Sequence, residues 1–134
     1  MIPIRNTMVS RRFPFVNCIL ILANVSVFVY QAQLPEGYEL PFAMLYGTVP
    51  ARLTIPGWAR EHGFPPGALS TLLTSMFLHG NILHLVGNMW ALWIYGGNVE
   101  DRLGHVRYLF FYIFAGTLAM LAHVMLNLSS PIPA

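Results

Sequence analysis

Three stretches of this chain contain no Asp, Glu, Lys or Arg: Phe15–Tyr30, Ala68–Gly97 and Tyr108–Leu128. Runs of that character suit lipid, since one membrane crossing takes about 20 predominantly apolar residues. The rest of the sequence points the same way. Only 9% of the 134 residues are charged while 56% are hydrophobic, against a charged share of about a quarter in ordinary soluble domains. A small domain leaves much of its surface exposed, and this chain has too few charges to cover one. The expected fold is therefore all-α: a polytopic membrane helical bundle of about three transmembrane helices. That is thin for a self-contained membrane enzyme.

The boundaries follow from the breakers. The first span is expected over about residues 13–31, behind a tail, 1–12, that carries Arg5, Arg11 and Arg12. The layout resembles a signal peptide, but around Tyr30-Gln31-Ala32-Gln33 only Ala32 is small, so a cleavage site is lacking and the span stays uncleaved. Asn24, polar within an apolar run, is expected to face another helix rather than lipid. A loop over about 32–80 follows. Pro35, Pro41, Pro50, Pro56, Pro65 and Pro66 forbid a long helix there. Tyr38, Phe42, Tyr46, Trp58 and Phe64 are too many aromatics for a disordered linker, so the loop is expected to be ordered and to lie at the membrane interface.

The second apolar stretch, about 30 residues or roughly 45 Å as a helix, overshoots a hydrocarbon core of about 30 Å. His79-Gly80-Asn81 breaks it into a short interfacial or re-entrant helix, Ala68 to Leu78, and a span over about 81–97 that Asn81 can cap. A charged turn, Glu100-Asp101-Arg102-Leu103-Gly104, leads to a third span over about 107–128. Five of the seven arginines (Arg5, Arg11, Arg12, Arg102, Arg107) fall in the tail and turn, and two (Arg52, Arg60) in the loop. Positive charge is enriched on the cytoplasmic side. The chain is thus expected to be an integral, multi-pass protein with a cytoplasmic N-terminus and an external loop, in the plasma (inner) membrane of a prokaryote.

Several function classes drop out. A net charge of +2 from scattered arginines makes no basic patch for nucleic acid. The single Cys18 has no partner for a disulfide. His79 and His84, five residues apart, diverge by about 140° if both are helical and cannot ligate as an i, i+4 pair could; no metal and no cofactor is expected.

The polar residues within the second span are the sharpest signal. His84 and Asn88 are four apart and share a helix face. Two readings stand on spacing alone. They are donors converging on one oxyanion, whose stabilisation is a large part of acyl-transfer catalysis, or a hydrogen-bonded pair joining helices. Small residues (Gly87 and Ala91; Ala115, Gly116 and Ala119) suggest close helix packing. Glu100 and Arg102 are either solvated turn charges or hydrogen-bonded anchors between glycines that allow close backbone approach.

The segment Phe77-Leu78-His79-Gly80-Asn81-Ile82-Leu83-His84-Leu85-Val86-Gly87-Asn88-Met89, followed by Gly96-x-x-x-Glu100-x-x-x-Gly104, resembles the rhomboid intramembrane serine proteases. The likeness runs on through Arg107-Tyr108 to Pro131-Ile132-Pro133, and upstream takes in Val49-Pro50-Ala51-Arg52-Leu53. The resemblance implies a serine endopeptidase that cleaves transmembrane protein substrates in the lipid bilayer with a Ser–His dyad on later spans. It implies oxyanion stabilisation by His84 and Asn88, a cavity position for His79 and a structural pair in Glu100 and Arg102. The family's Gly-x-Ser-Gly nucleophile motif is not among these 134 residues. The chain is therefore expected to be the first half of a rhomboid-like domain, stopping before the nucleophile, lacking its C-terminal spans and inactive alone. A non-catalytic, pseudoprotease-like module that binds transmembrane helices is the alternative.

Overall fold

A computed structural model describes residues 13–66 and 68–134; the expected cytoplasmic tail, 1–12, lies outside the described residues. The described residues are helical and contain no strand. In chain order they form α1 (Phe15–Ala32), α2 (Glu39–Tyr46), α3 (Pro50–Thr54), α4 (Trp58–Glu61), α5 (Thr71–Thr74), a 3₁₀ turn (Ser75–Phe77), α6 (Ile82–Ala91), a π turn (Leu92–Gly96), α7 (Gly97–Leu103) and α8 (His105–Leu126). Two helices, α1 and α8, are each long and apolar enough to cross a membrane. Their outer faces leave Ile19, Leu22, Phe110, Phe114 and Met125 exposed, a surface far too apolar for water. The molecule is a membrane helical bundle.

The second apolar stretch differs from expectation at both ends. The anticipated Ala68–Leu78 helix is only α5 and one 3₁₀ turn. Asn81 then takes an extended conformation, and its side chain caps α6 by accepting from the His84 backbone N–H at 2.9 Å. At the far end there is no charged turn at Glu100. From Ile82 the chain stays helical through the π turn and α7 to Leu103, and the break comes at Gly104, whose φ of +82° suits glycine. This moves Glu100 from an exposed loop to a helix face.

The proline-rich loop is ordered, as expected. Pro50 opens α3, where its missing N–H costs nothing. Val49, Ala51 and Trp58 form a small core with Met44 and Phe64 against it. Arg52 is buried there, donating to the carbonyls of Met44, Leu45 and Pro65, with its guanidinium over the Phe64 ring. The C-terminal segment lies along this loop: Ala51 N–H donates to the Ser130 carbonyl and Ala134 N–H to that of Thr48.

Candidate functional site

Two polar constellations organise the bundle, one at each end of the Ile82–Leu103 run. The first is structural. Pro14 stands at the N-cap of α1 and offers no side-chain acceptor, so the helix's first N–H groups need one from elsewhere. Glu100, only 1% exposed, supplies it from α7: its carboxylate accepts from Val16 N–H at 2.9 Å and Asn17 N–H at 2.8 Å. A negative group at a helix N-terminus also complements the macrodipole. His105, opening α8, bonds the same carboxylate through Nδ1. Beside it, Asn17 Nδ2 donates to the Leu92 carbonyl of the π turn at 2.9 Å, and its Oδ1 accepts from Tyr108 Oη at 2.8 Å. One buried carboxylate and one buried amide thus tie α1, α7 and α8 together.

Gly96 permits that approach. A Cβ there would fall 2.1 Å from Asn17 Oδ1. Arg102, expected to act with Glu100, is instead exposed on α7, away from the carboxylate's hydrogen bonds. The expected close packing of helices on Gly116 is also different: the Met76 side chain fills the space above it.

The second constellation is the candidate site. His79, in the short link before α6, is 4% exposed. Because the chain leaves the helix at Asn81, the 140° divergence expected of His79 and His84 does not arise. Their rings meet edge to face with centroids 5.3 Å apart. One helical turn further on, Asn88 Nδ2 lies 3.2 Å from His79 Nε2. The structure therefore gathers His79, His84 and Asn88 at one place, with His79 inserted beside the pair that spacing alone puts on a common face. His84 and Asn88 are both exposed on α6. Burial holds the His79 pKa below its ordinary value, the nearby His84 lowers it further, and the hydrogen bond to Phe77 opposes both.

A cavity of about 490 Å³ opens beside this cluster, with Asn24 on α1, His79 and Asn88 on one wall, and Tyr112 and Gly116 on α8. Its lining is mainly apolar with a few polar groups, the usual make-up of a site that orients a ligand. Asn24 faces protein as expected: it is buried, with Nδ2 on the Leu20 carbonyl and near Tyr112 Oη. Among the described residues no group of three or more His, Cys, Asp and Glu side chains could hold a metal ion. Sequence reasoning misses Gln31, Asn17 and Tyr108. Asn17 carries the same signal that identifies Asn24, a polar side chain in an uncharged span; Tyr108 falls within the family likeness without a role attached to it, and Gln31 carries no signal.

Comparison with known proteins gives the family. Residues 66–132, half of the chain, match the Rhomboid domain. A stretch of 45 residues is 40% identical to RHOMBOID-like protein 6, mitochondrial, of Arabidopsis thaliana, covering 34% of this chain and 15% of that protein. No solved structure matches. The match spans half of the chain, from before His79 to beyond α8, and on that ground the chain belongs to the rhomboid family.

Proposed function

We propose that this chain carries the oxyanion side of an intramembrane serine endopeptidase that acts on transmembrane protein substrates. The observation that carries the reading is the gathering of His84 and Asn88 on α6 with His79 from the preceding link, where His79 and Asn88 line an open cavity and the His84 ring packs against His79. A carbonyl attacked by a nucleophile develops negative charge on its oxygen, and fixed N–H donors in a site of low dielectric stabilise that charge without reorganising. An imidazole and a carboxamide held at the start of a membrane helix are such donors. Both the serine and its base would come from further helices packed on the open face of α6. The isolated 134 residues, without Gly-x-Ser-Gly, are expected not to hydrolyse peptides.

The test uses a complete rhomboid domain that includes these residues. His84→Ala and Asn88→Ala should each lower turnover of a transmembrane reporter by about 10²–10³, the usual effect of losing one oxyanion donor, with little change in thermal stability. Parallel loss of turnover and stability would make the residues helix glue and overturn the assignment. One observation favours a second reading, a non-catalytic module that binds transmembrane helices. Nothing lies within 4 Å of a Cβ built on Gly87, so a small-residue surface beside His84 and Asn88 stands open to another helix. Labelling of the purified 134-residue chain by a fluorophosphonate probe would defeat that reading.

We place the N-terminus in the cytoplasm of a prokaryotic cell and the proline-rich loop outside its plasma membrane, from the distribution of arginines. The burial of Arg52 against backbone carbonyls supports that orientation, since it leaves Arg60 as the loop's exposed arginine.

A further inference from the structure

The hydrogen bonds of His79 fix more than its position. Nδ1 lies 3.2 Å from the Phe77 carbonyl oxygen, which can only accept, so Nδ1 carries the ring proton. In a neutral imidazole Nε2 must then be an acceptor. The group 3.2 Å from it is the Asn88 carboxamide, and only Nδ2–H can donate. The orientation of Asn88 follows from the tautomer of His79. A carboxamide torsion is broad and roughly two-fold, so without an acceptor on one side its oxygen and nitrogen can exchange places.

We propose that His79 is a positioning residue: its Nε2 holds one N–H of Asn88 and so fixes which way that carboxamide faces the cavity, leaving the second N–H for an incoming oxygen. The proposal rests on Asn88 being an oxyanion donor and names what orients it. Were the amide reversed, its oxygen would occupy the nitrogen's place and repel a developing negative charge. The residue is itself held from several sides. Its backbone N–H donates to Gln31 Oε1 at the end of α1 (3.3 Å), the His84 ring packs edge-on against the imidazole, and the side chain is buried. Burial also favours the neutral ring that the scheme requires. Gln31 thereby ties the end of α1 to the backbone that carries this imidazole.

Nuclear magnetic resonance of the 134-residue chain in detergent micelles, with ¹⁵N-labelled His and Asn, reads the hydrogen bond directly. The wild type should show His79 protonated at Nδ1 and bare at Nε2, and one Asn88 side-chain proton shifted downfield of its position in a free Asn amide. His79→Leu should return that proton to the free-amide position. His79→Gln, whose Oε1 reaches the place of Nε2, should restore the downfield shift. An Nε2–H tautomer in the wild type, or Asn88 amide signals indifferent to His79→Leu, would overturn the proposal. Should the Leu variant lose its helix content, the wild-type tautomer and the Gln variant still decide. In a complete rhomboid domain, His79→Leu should lower kcat by about ten- to a hundredfold at unchanged KM, less than loss of the donor itself, and His79→Gln should recover most of it. Full turnover in Asn88→Ala would instead sink the oxyanion reading, an outcome distinct from a missing hydrogen-bond signature.

Discussion

At the scale of single residues, the least replaceable atom of this chain is one that is missing, the Cβ of Gly96. Asn17 Oδ1 and Tyr108 Oη occupy the place it would take, the latter at 2.7 Å from the built position. Neither can retreat without breaking the bond between them. Gly96→Ala should therefore cost about 1–3 kcal/mol, the usual range for overpacking. Gly116→Ala makes a contrast. The atom it meets is the terminal methyl of Met76, the end of a flexible side chain, so a loss below about 1 kcal/mol is expected. Unfolding of both variants in the same detergent checks the order; equal losses would mean that Asn17 does not hold its place. His79 supplies a pH dependence with a definite sign. Its folded pKa is lowered from 6.5, so the unfolded state takes up the proton first. Stability attributable to it is complete above the unfolded value and is lost as pH falls through the folded one. The melting temperature should drop more for the wild type than for His79→Gln between about pH 7.5 and about pH 5.5, and equal drops would remove His79 from the acid response.

At the scale of elements, α1 is completed by a residue 84 positions away in sequence. The uncharged run from Phe15 announces the helix, and Asn17 and Asn24, seven apart, mark its inward face. What no local pattern could show is that a proline at the N-cap would be compensated by a carboxylate from α7. The same limit explains Glu100 itself. Its charged, glycine-flanked neighbourhood reads as a turn, and only the docking of α1 makes a helical, buried carboxylate tolerable. The link at His79 defeats helical arithmetic for a related reason: that arithmetic cannot cross Asn81, where the backbone is extended. Spacing predicts geometry only within an unbroken element. Glu100→Gln keeps one acceptor but sets an amide NH₂ against a backbone donor, so a loss of about 1.5–3 kcal/mol is expected, the value of one charge-assisted bond. Glu100→Ala leaves the Val16 and Asn17 N–H groups of α1 without their acceptor and should cost more, about 2–6 kcal/mol at about 1–3 kcal/mol for each donor left unmet. Equilibrium unfolding in micelles measures both. If Gln and Ala are equivalent, the carboxylate is filling space and not capping α1.

At the scale of the whole molecule, the orientation in the bilayer proposed above rests on two features. Arg102 and Arg107 lie at one end of the bundle and the proline-rich loop with its aromatic side chains at the other, and three more arginines precede the first apolar run in sequence. The loop's own structure sharpens that asymmetry. Tyr30 at the end of α1 packs on Phe42, and Phe42 on Tyr46, which fastens α2 to the membrane helix through side chains that favour the lipid–water boundary. The candidate site lies towards this end, because His79 bonds Gln31 near the last turn of α1. On the proposed function, hydrolysis within lipid needs water to enter from one face, and the bond from His79 to the last turn of α1 favours the loop side. Single cysteines test the orientation in a Cys18→Ser background. Glu36→Cys, exposed in the loop, should react in intact cells with a maleimide that cannot cross membranes. Arg107→Cys, exposed near the start of α8, should react only after the cells are opened. The reverse pattern would put the arginines outside and turn the site towards the cytoplasm. Labelling of both in intact cells would mean that at least one apolar helix does not span the bilayer.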